Sequence, residues 1–367
     1  SASGGHKPPD ARSYQGAYAP RSPYLLLVLL VLLALAGCGT DRTKRVVLYC
    51  AQDREFAEDV LREFTNHTQL AVEPRFDTEA NKAVGLYEDL VREARRPRCD
   101  IYWNNEILAT IRLQRQGFLE PYASSAAEPY PALFKATDHT WHAFGARARV
   151  LLINTRVMEE RKIPRAQWPA SLLDLTHPRW KGQVAMSKPM AGTSATQAAC
   201  LFQAWGADKA RKFYRDLKAN DVQIVPGNKQ SAERVGLGQF AIGLTDTDDA
   251  IAEIAAGKPV EMIYPDRDAP EDSGLGTLFI PNTVAVIKGC PNPQGARKLV
   301  DFLLSPEVEA KLALSASRQI PLNPNVKAAL PKEIEAARTA RVLQVDFGKA
   351  ADLWDEVQQF LRTEFGR

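Results

Sequence analysis

The sequence predicts an α/β protein in which buried strands alternate with amphipathic helices around mostly parallel sheets. Three successive units of strand, polar turn and helix begin near Val46, Leu70 and Asp100. Each strand is a short, largely apolar run, and each helix has apolar residues at intervals of three and four. This alternation favours parallel strands joined by right-handed crossovers, which bring the carboxyl ends of the strands to one edge.

The elements of the first half follow directly from these patterns. Strands are predicted at residues 46–50, 70–76 and 100–103, which are rich in leucine, β-branched and aromatic residues. The three helices that follow have apolar positions at helical spacing: Phe56, Val60, Leu61 and Phe64; then Val84, Leu86, Leu90 and Val91; then Ile107, Leu108, Ile111 and Leu113, before Gly117.

The second half continues the alternation with less regular spacing. Two extended segments, residues 141–144 and 150–154, are expected to cross into a second group of elements. Further strands are predicted at 180–186, 222–225, 240–244, 278–280 and 283–287, and helices at 171–175, 195–205, 250–255 and 296–304 and within 343–365.

The N-terminus has the pattern of an export signal. A polar, basic stretch, residues 1–23, precedes an uninterrupted apolar run, residues 24–36, which has the length of a signal-peptide core. The run ends in Leu-Ala-Gly before Cys38, which resembles the lipobox of bacterial lipoproteins. We therefore predict a signal peptide at 1–37, lipidation of Cys38 and a linker at 38–45. The alternative is an uncleaved N-terminal anchor, and both place the protein in the periplasm or at the cell surface, tethered to the membrane.

Composition excludes several classes of protein. Hydrophobic residues make up 45% of the chain and charged residues 25%, values typical of a globular protein. The formal net charge of +3 falls to +1 without the first 37 residues, so nothing indicates nucleic-acid binding. Beyond Cys38, the cysteines Cys50, Cys99, Cys200 and Cys290 match no metal motif. We expect Cys50 and Cys99 in strands and Cys200 in a helix, as small buried residues.

Polar residues follow the predicted strands where ligands bind in open α/β sheets. In the first half these are Gln52 and Asp53, Asp77 and Glu79, and Asn105 and Glu106. Because the carboxyl ends of parallel strands meet at one edge, we expect these side chains to converge.

The second half contributes an acidic turn between a buried strand and a helix. Asp246, Thr247, Asp248 and Asp249 lie on this turn. The alternative interpretation is a helix start, where hydroxyl and acidic side chains are favoured. We expect the acidic turn to face Asp53, Glu79 and Glu106.

A second turn has the features of an anion site. Gly192, Thr193 and Ser194 open a predicted helix whose free amides could hold an anion. An ordinary Ser/Thr cap is the alternative. Arg147 and Arg149, between the two extended segments, are in a position to face a cleft.

Several stretches together resemble the ferric-ion-binding periplasmic proteins of bacterial ABC importers. They are Val47-Leu48-Tyr49 with Gln52-Asp53-Arg54-Glu55, Asp100-Ile101-Tyr102-Trp103, the run GNK…G…A…L from Gly227 to Leu244, and Pro321-Leu322-Asn323-Pro324. Their order and spacing carry the resemblance over residues 46–325. It implies a two-lobed periplasmic binding protein, each lobe a mostly parallel sheet flanked by helices, hinged by crossover strands. Lobe 1 would hold 46–148 plus 278–325, and lobe 2 would hold 149–277 plus 326–367.

The resemblance also implies ligand positions, some of which carry different residues here. The family's histidine falls on Asp53, its glutamate on Asn105 beside Glu106, and its adjacent tyrosines on Asp248 and Asp249. The anion-binding helix start falls on Ala191-Gly192-Thr193 and an anion-side asparagine on Asn228. The predicted metal ligands are Asp53, Glu106, Asp248 and Asp249. The full predicted ligand-binding set is Gln52, Asp53, Glu79, Asn105, Glu106, Arg149, Gly192, Thr193, Ser194, Asn228, Asp246, Thr247, Asp248 and Asp249.

These features predict a monomeric, lipid-anchored solute receptor that delivers its ligand to an ABC permease. Carboxylates suit a ferric or other hard metal ion, transported with an anion and not held as a resident cofactor. A small organic ligand such as an aminoalkylphosphonate or a polyamine is the alternative. A metal-dependent secreted hydrolase is a further alternative, although HExxH, GxSxG and P-loop patterns are absent from the sequence. The last alternative is that the protein is the ligand-binding module of a sensor.

Overall fold

One long strand, β5 (His142–Asn154), connects the two groups of strands in this fold. A computed structural model describes residues 4–5, 42–77, 85–270 and 274–366 of the chain. The other strands in this part of the chain are β1 (Arg45–Cys50), β2 (Ala71–Phe76), β3 (Ile101–Asn104), β4 (Leu119–Glu120), β6 (Val184–Ser187), β7 (Gln223–Val225), β8 (Ile242–Asp246), β9 (Val260–Ile263) and β10 (Phe279–Ile287).

Helices cover the sheets and follow most of the strands. The α-helices of the described residues are α1 (Arg54–Thr68), α2 (Gly85–Glu93), α3 (Ile107–Arg115), α4 (Thr155–Glu160), α5 (Gly192–Trp205), α6 (Ala207–Ala219), α7 (Asn228–Gly236), α8 (Thr247–Ala255), α9 (Pro293–Leu303), α10 (Pro306–Leu314), α11 (Lys332–Arg338), α12 (Phe347–Asp352) and α13 (Trp354–Phe365). The predicted α/β class is confirmed.

Strand pairing follows the order β2-β1-β3-β10-β5-β8-β6-β7. Parallel pairs lie on both sides of the centre: β1 with β2 and β3, and β6 with β7 and β8. The two long central strands, β5 and β10, are antiparallel to each other and to their neighbours. β5 pairs with β10 through residues 142–148 and with β8 through 149–153, so its partner changes between Ala148 and Arg149.

The structure corrects several predicted boundaries. The two predicted extended segments, 141–144 and 150–154, join into the single strand β5, which begins at His142, and those at 278–280 and 283–287 join into β10, which begins at Phe279. Gly145-Ala146-Arg147-Ala148-Arg149 interrupts the apolar pattern of β5, because small and charged residues stand where a strand core is expected. Strand β9 was not predicted, and Cys99 precedes β3 instead of lying in a strand.

The core joins the two groups of strands. The Trp103 and Phe144 rings, from β3 and β5, lie 5.2 Å apart between centroids, and neither residue is exposed. Helix α12 packs against both α3 and α5, so the C-terminal segment contacts helices from both halves of the chain.

Most of the predicted export signal cannot be compared with the structure. The segment 1–37, Cys38 and the linker as far as residue 41 lie outside the described residues, apart from Gly4 and Gly5. Among the helices that the structure describes, none is both long and apolar enough to cross a membrane. Cys50, Cys99 and Cys200 are buried, and these three and Cys290 are free thiols.

Candidate ligand-binding site

A cavity of about 1090 Å³ lies where the carboxyl ends of several strands meet. Part of its wall is the start of α1 with Asn105, which follows β3. The rest includes the turns after β6, β7 and β8 and the first residues of α5, α7 and α8. This is the sheet edge at which the repeated strand, turn and helix pattern predicted convergence.

The predicted ligand-binding residues divide into two groups. Those that line the cavity are Asp53, Asn105, Gly192, Thr193, Asn228, Asp246, Asp248 and Asp249. Those that do not line it are Gln52, Glu106, Arg149, Ser194 and Thr247, all of which are buried. Glu79 lies outside the described residues.

Glu106, which the sequence predicts as a metal ligand, is a helix cap in this structure. Its carboxylate accepts hydrogen bonds from the backbone amides of Leu108 and Ala109, both at 2.8 Å. It also accepts one from the Thr196 hydroxyl at 2.8 Å. Both carboxylate oxygens are therefore occupied at the start of α3, as expected for an acidic N-cap residue.

Arg149 and Asp246 form a buried ion pair behind the cavity wall. Their closest atoms, Nη1 and Oδ1, are 2.7 Å apart, and each side chain is 1% exposed. Burial raises the pKa of Asp246, but the charges of Arg149 and Arg147 outweigh it and hold that pKa below its ordinary value. The guanidinium of Arg149, which is predicted to contact a ligand, is paired with Asp246 in this structure.

Asp246 also anchors the starts of two helices. Its Oδ2 accepts hydrogen bonds from the Thr193 hydroxyl at 2.6 Å and from the Asn228 side-chain amide at 2.9 Å. Thr193 opens α5 and Asn228 opens α7, so the carboxylate of β8 fixes both turns of the wall. With both oxygens occupied inside the protein, Asp246 positions other residues of the site.

The remaining buried members of the predicted set make internal contacts. Ser194 accepts from Arg149 Nη2 at 3.3 Å and donates to Asn228 Oδ1 at 3.2 Å. The Thr247 hydroxyl accepts from the backbone amide of Ala148 at 3.2 Å, which ties the start of α8 to β5. Gln52 is 3% exposed. None of these three predicted residues lines the cavity.

Asp248 is the acid of this turn that the protein leaves incompletely satisfied. Its Oδ1 is buried and has no hydrogen-bond partner among the described residues. Its Oδ2 lies 3.7 Å from Arg147 Nη1, which is too far for a hydrogen bond. Burial raises the pKa of Asp248 to about 6, and the neighbouring charge of Asp246 adds to this effect. A buried acceptor without a partner is costly unless a ligand satisfies it.

The acids of the turn are close enough to share a cation. One carboxylate oxygen from each of Asp246, Asp248 and Asp249 lies within 4.8 Å of the others. Two of the three side chains, those of Asp248 and Asp249, are only partly buried and line the cavity.

Arg147 is the cation that the predicted set lacks. Its side chain is 10% exposed in the cavity wall, and its Nη1 lies 3.7 Å from Oδ2 of both Asp246 and Asp248. Its Nη2 donates to the backbone oxygen of Asn105 at 2.6 Å. Burial lowers the pKa of Arg147, but the carboxylates of Asp248 and Asp246 raise it above its ordinary value, so the guanidinium stays charged. The sequence predicts that Arg147 and Arg149 both face a cleft and places Arg149 in the ligand-binding set, but of the two only Arg147 lines the cavity.

Other cations of the wall were missed as well. Arg54, Lys188 and Lys229 line the cavity, at the starts of α1 and α7 and directly after β6. Their positions next to predicted turns were the available signal. The cavity therefore presents carboxylates and cations together, and the helix starts at Gly192 and Asn228 are also part of its wall.

The chain belongs to the family of bacterial extracellular solute-binding proteins, whose family model matches residues 109–349. Members of this family bind solutes for transport, so the protein is a solute-binding transport protein and not an enzyme. This overturns the hydrolase alternative.

Individual relatives agree with this assignment. The major ferric iron-binding protein of Neisseria meningitidis serogroup A is 26% identical over 301 residues, which cover 81% of this chain and 86% of the relative. The structure of a ferric binding protein from Campylobacter jejuni matches with a TM-score of 0.75 and 21% identity, covering 87% of this chain and 99% of that one. The periplasmic binding protein AfuA from Actinobacillus pleuropneumoniae, with fructose-6-phosphate bound, matches with a TM-score of 0.74 and 21% identity, covering 88% and 98%. The fold is therefore that of the periplasmic binding proteins, as the resemblance implied.

Proposed function

We propose that this chain is the extracytoplasmic receptor of an ABC importer and that its cavity binds a solute combining positive and negative charge. The observation that carries this proposal is the buried, unpartnered Oδ1 of Asp248 in a wall that also contains the charged Arg147. An unsatisfied carboxylate oxygen favours a cationic group of the ligand. The Nη1 of Arg147 lies 3.7 Å from the carboxylates of Asp246 and Asp248, too far for a hydrogen bond, so it can donate to an anionic group of the ligand.

The first candidate ligand is a ferric or other hard metal ion, bound together with an anion. Hard cations prefer oxygen ligands, and Asp248 and Asp249 offer carboxylates within 4.8 Å of each other. Of the predicted metal ligands, Asp53, Asp248 and Asp249 remain in this proposal, and Glu106 leaves it. An anion between the metal and Arg147 would complete the coordination and prevent repulsion between the two positive charges. The ferric iron-binding relatives support this candidate.

The second candidate is a small organic ligand that carries an anion, such as an aminoalkylphosphonate. Arg147 favours it, as do Lys188, Lys229 and the starts of α5 and α7, which also line the cavity. The ammonium group would meet Asp248, and the phosphonate would meet the cations. A polyamine suits the wall less well, because these cations would repel it.

The remaining features of the proposal concern the whole protein. The change of partner strand between Ala148 and Arg149 supports two lobes, 46–148 plus 278–325 and 149–277 plus 326–367, with the cavity between them. We propose in addition a lipid anchor at Cys38, a monomeric protein and delivery of the ligand to an ABC permease.

Thermal stabilisation of the purified protein, produced without residues 1–38, tests this proposal. The probes are ferric nitrilotriacetate with phosphate, 2-aminoethylphosphonate and spermidine. We expect a saturable rise in Tm with one of the first two probes, and its loss in Asp248→Asn. A matched control, Asp208→Asn, changes a fully exposed acid on α6 and retains the rise. A rise that persists unchanged in Asp248→Asn contradicts the proposed site, and a rise with spermidine alone contradicts the need for an anion.

A further inference from the structure

Strand β5 contains one extra residue opposite β10, and that residue is Gly145. Asn282 of β10 lies opposite Phe144, whereas the next residue, Pro281, lies opposite Ala146. Gly145 therefore has no counterpart on β10. Its φ of +45° is in the left-handed region, which glycine adopts without strain. An inserted residue of this kind is a β-bulge, and bulges next to binding sites redirect side chains.

The bulge decides from which face of the sheet the two arginines project. Directly opposed residues of an antiparallel pair share a face. Ile280 and Asn282 are two positions apart on β10 and therefore share a face of the sheet. Ile280 lies opposite Arg147, and Asn282 lies opposite Phe144. Arg147 thus shares a face with Phe144, although residues three positions apart point to opposite faces in a regular strand. Arg149 is two positions further along β5 and therefore projects from the same face as Arg147. Without the extra residue, both arginines would change face relative to the first part of β5.

A set of buried side chains holds the bulge in place. The backbone amide of Gly145 donates to Glu309 Oε1 at 2.5 Å, and its carbonyl oxygen accepts from the Asn282 side-chain amide at 2.5 Å. Glu309 Oε2 accepts from the backbone amide of Asn323 at 2.5 Å. Glu309 is fully buried on α10, so its carboxylate is committed to these two amides.

The positive φ of the bulge favours glycine, although the space around it would admit a Cβ atom in ordinary van der Waals contact. A Cβ atom at position 145 would lie 3.4 Å from the Cβ of Gln319. Gln319 is itself held in place, since its side-chain oxygen accepts from Asn282 at 2.9 Å. The backbone of the bulge, the carboxylate of α10 and the segment after α10 therefore form one hydrogen-bonded unit.

We propose that Glu309 is a positioning residue of the ligand-binding site. By holding the Gly145 bulge, it sets the register of β5 that directs Arg147 into the cavity wall and Arg149 onto Asp246. Its effect on ligand affinity rests on the proposed function, because that effect requires a ligand at Arg147. Its effect on the register of β5 does not.

The experiment compares Glu309→Ala and Glu309→Gln with the control Glu307→Ala, which changes an exposed residue of the same helix. Hydrogen exchange of peptides covering residues 142–149, together with crystal structures of the variants, reports the register without any ligand. Kd is measured with ferric nitrilotriacetate plus phosphate and with 2-aminoethylphosphonate. In Glu309→Ala we expect faster hydrogen exchange selectively in residues 142–149 and loss of the hydrogen bond from Arg147 to Asn105. We also expect a Kd about tenfold or more higher than that of the wild type. Glu309→Gln keeps one acceptor and should show a smaller effect.

The outcomes separate positioning from mere stability. If Glu309→Ala lowers Tm but keeps the wild-type Kd, register and exchange pattern, the inference is overturned. If Glu309→Ala does not fold, the same readouts on Glu309→Gln decide. If the wild-type protein binds neither probe, the proposed ligand classes fail, and the register in the variants still decides the role of Glu309.

Discussion

The buried Glu309 makes a specific prediction about stability and pH. Burial raises its pKa from 4.5 to about 7, against the opposing effect of the hydrogen bonds from Gly145 and Asn323. In the folded protein the carboxyl group therefore holds its proton more tightly than in the unfolded chain. Its contribution to stability is fully present below pH 4.5 and is lost as the pH rises through about 7.

The size of this effect follows from the two pKa values. A difference of one in pKa corresponds to about 1.4 kcal/mol, so the whole change amounts to about 3 kcal/mol, most of it between pH 5 and pH 8. Glu309→Gln removes the titrating group but leaves an amide nitrogen facing a backbone amide, which lowers stability equally at every pH. The advantage of the wild-type protein over this variant should therefore shrink by about 3 kcal/mol as the pH rises.

Urea denaturation of both proteins at pH 5 and pH 8 measures this change. Asp248 also has a raised pKa, but its contribution is the same in both proteins and cancels in the difference. Glu307→Gln, an exposed change on the same helix, should follow the wild-type profile. Parallel pH profiles for the wild type and Glu309→Gln would refute the reasoning.

Three further predictions concern the site and the thiols. The affinity for a ligand with a cationic group should fall as the pH drops through about 6, because Asp248 gains a proton that competes with the ligand; equal affinities at pH 7.5 and pH 5 by calorimetry would contradict this. Arg149→Met should lower the free energy of unfolding by about 3–5 kcal/mol, because it leaves Asp246 buried without its partner; a loss below 1 kcal/mol in urea denaturation would argue against the pair. Cys290 should react with iodoacetamide at pH 8 far more slowly in the native protein than in the unfolded protein, since burial raises its pKa to about 12. Equal rates of alkylation at Cys290, measured by mass spectrometry, would contradict this.

The fold could be predicted where local pattern decides it. The units built on β1, β2 and β3 follow from apolar periodicity, since β1, β3 and the helices after all three strands bury recognisable sets of residues, while β2 is mostly exposed. The continuous β5 could not be predicted in the same way. Its central residues are small or charged, and they are buried because β10, α10 and the site surround them. The bulge at Gly145 depends on partners such as Asn282 that lie far along the chain.

The site could be located from the sequence, but the roles of its residues could not. Polar turns after strands predicted where ligand-binding groups converge, and the cavity lies there. Which acid remains available to a ligand depends on contacts between distant segments. Asp246 is neutralised by Arg149, 97 positions away, and Glu106 accepts from Thr196, 90 positions away. The spacing of these residues in the sequence gives no sign of either contact, so the sequence does not distinguish Asp248 from Asp246 and Glu106.

Native mass spectrometry with elemental analysis, on protein purified under gentle conditions, tests the central claim most directly. The account predicts one bound solute per chain, either a metal ion with an anion or a small zwitterion, on the wild-type protein and on the Asp208→Asn control. It predicts loss of that solute in Asp248→Asn and in Arg147→Met. Retention of the solute in both variants would contradict the proposed site, and a bound solute with no anionic group would contradict the role of Arg147.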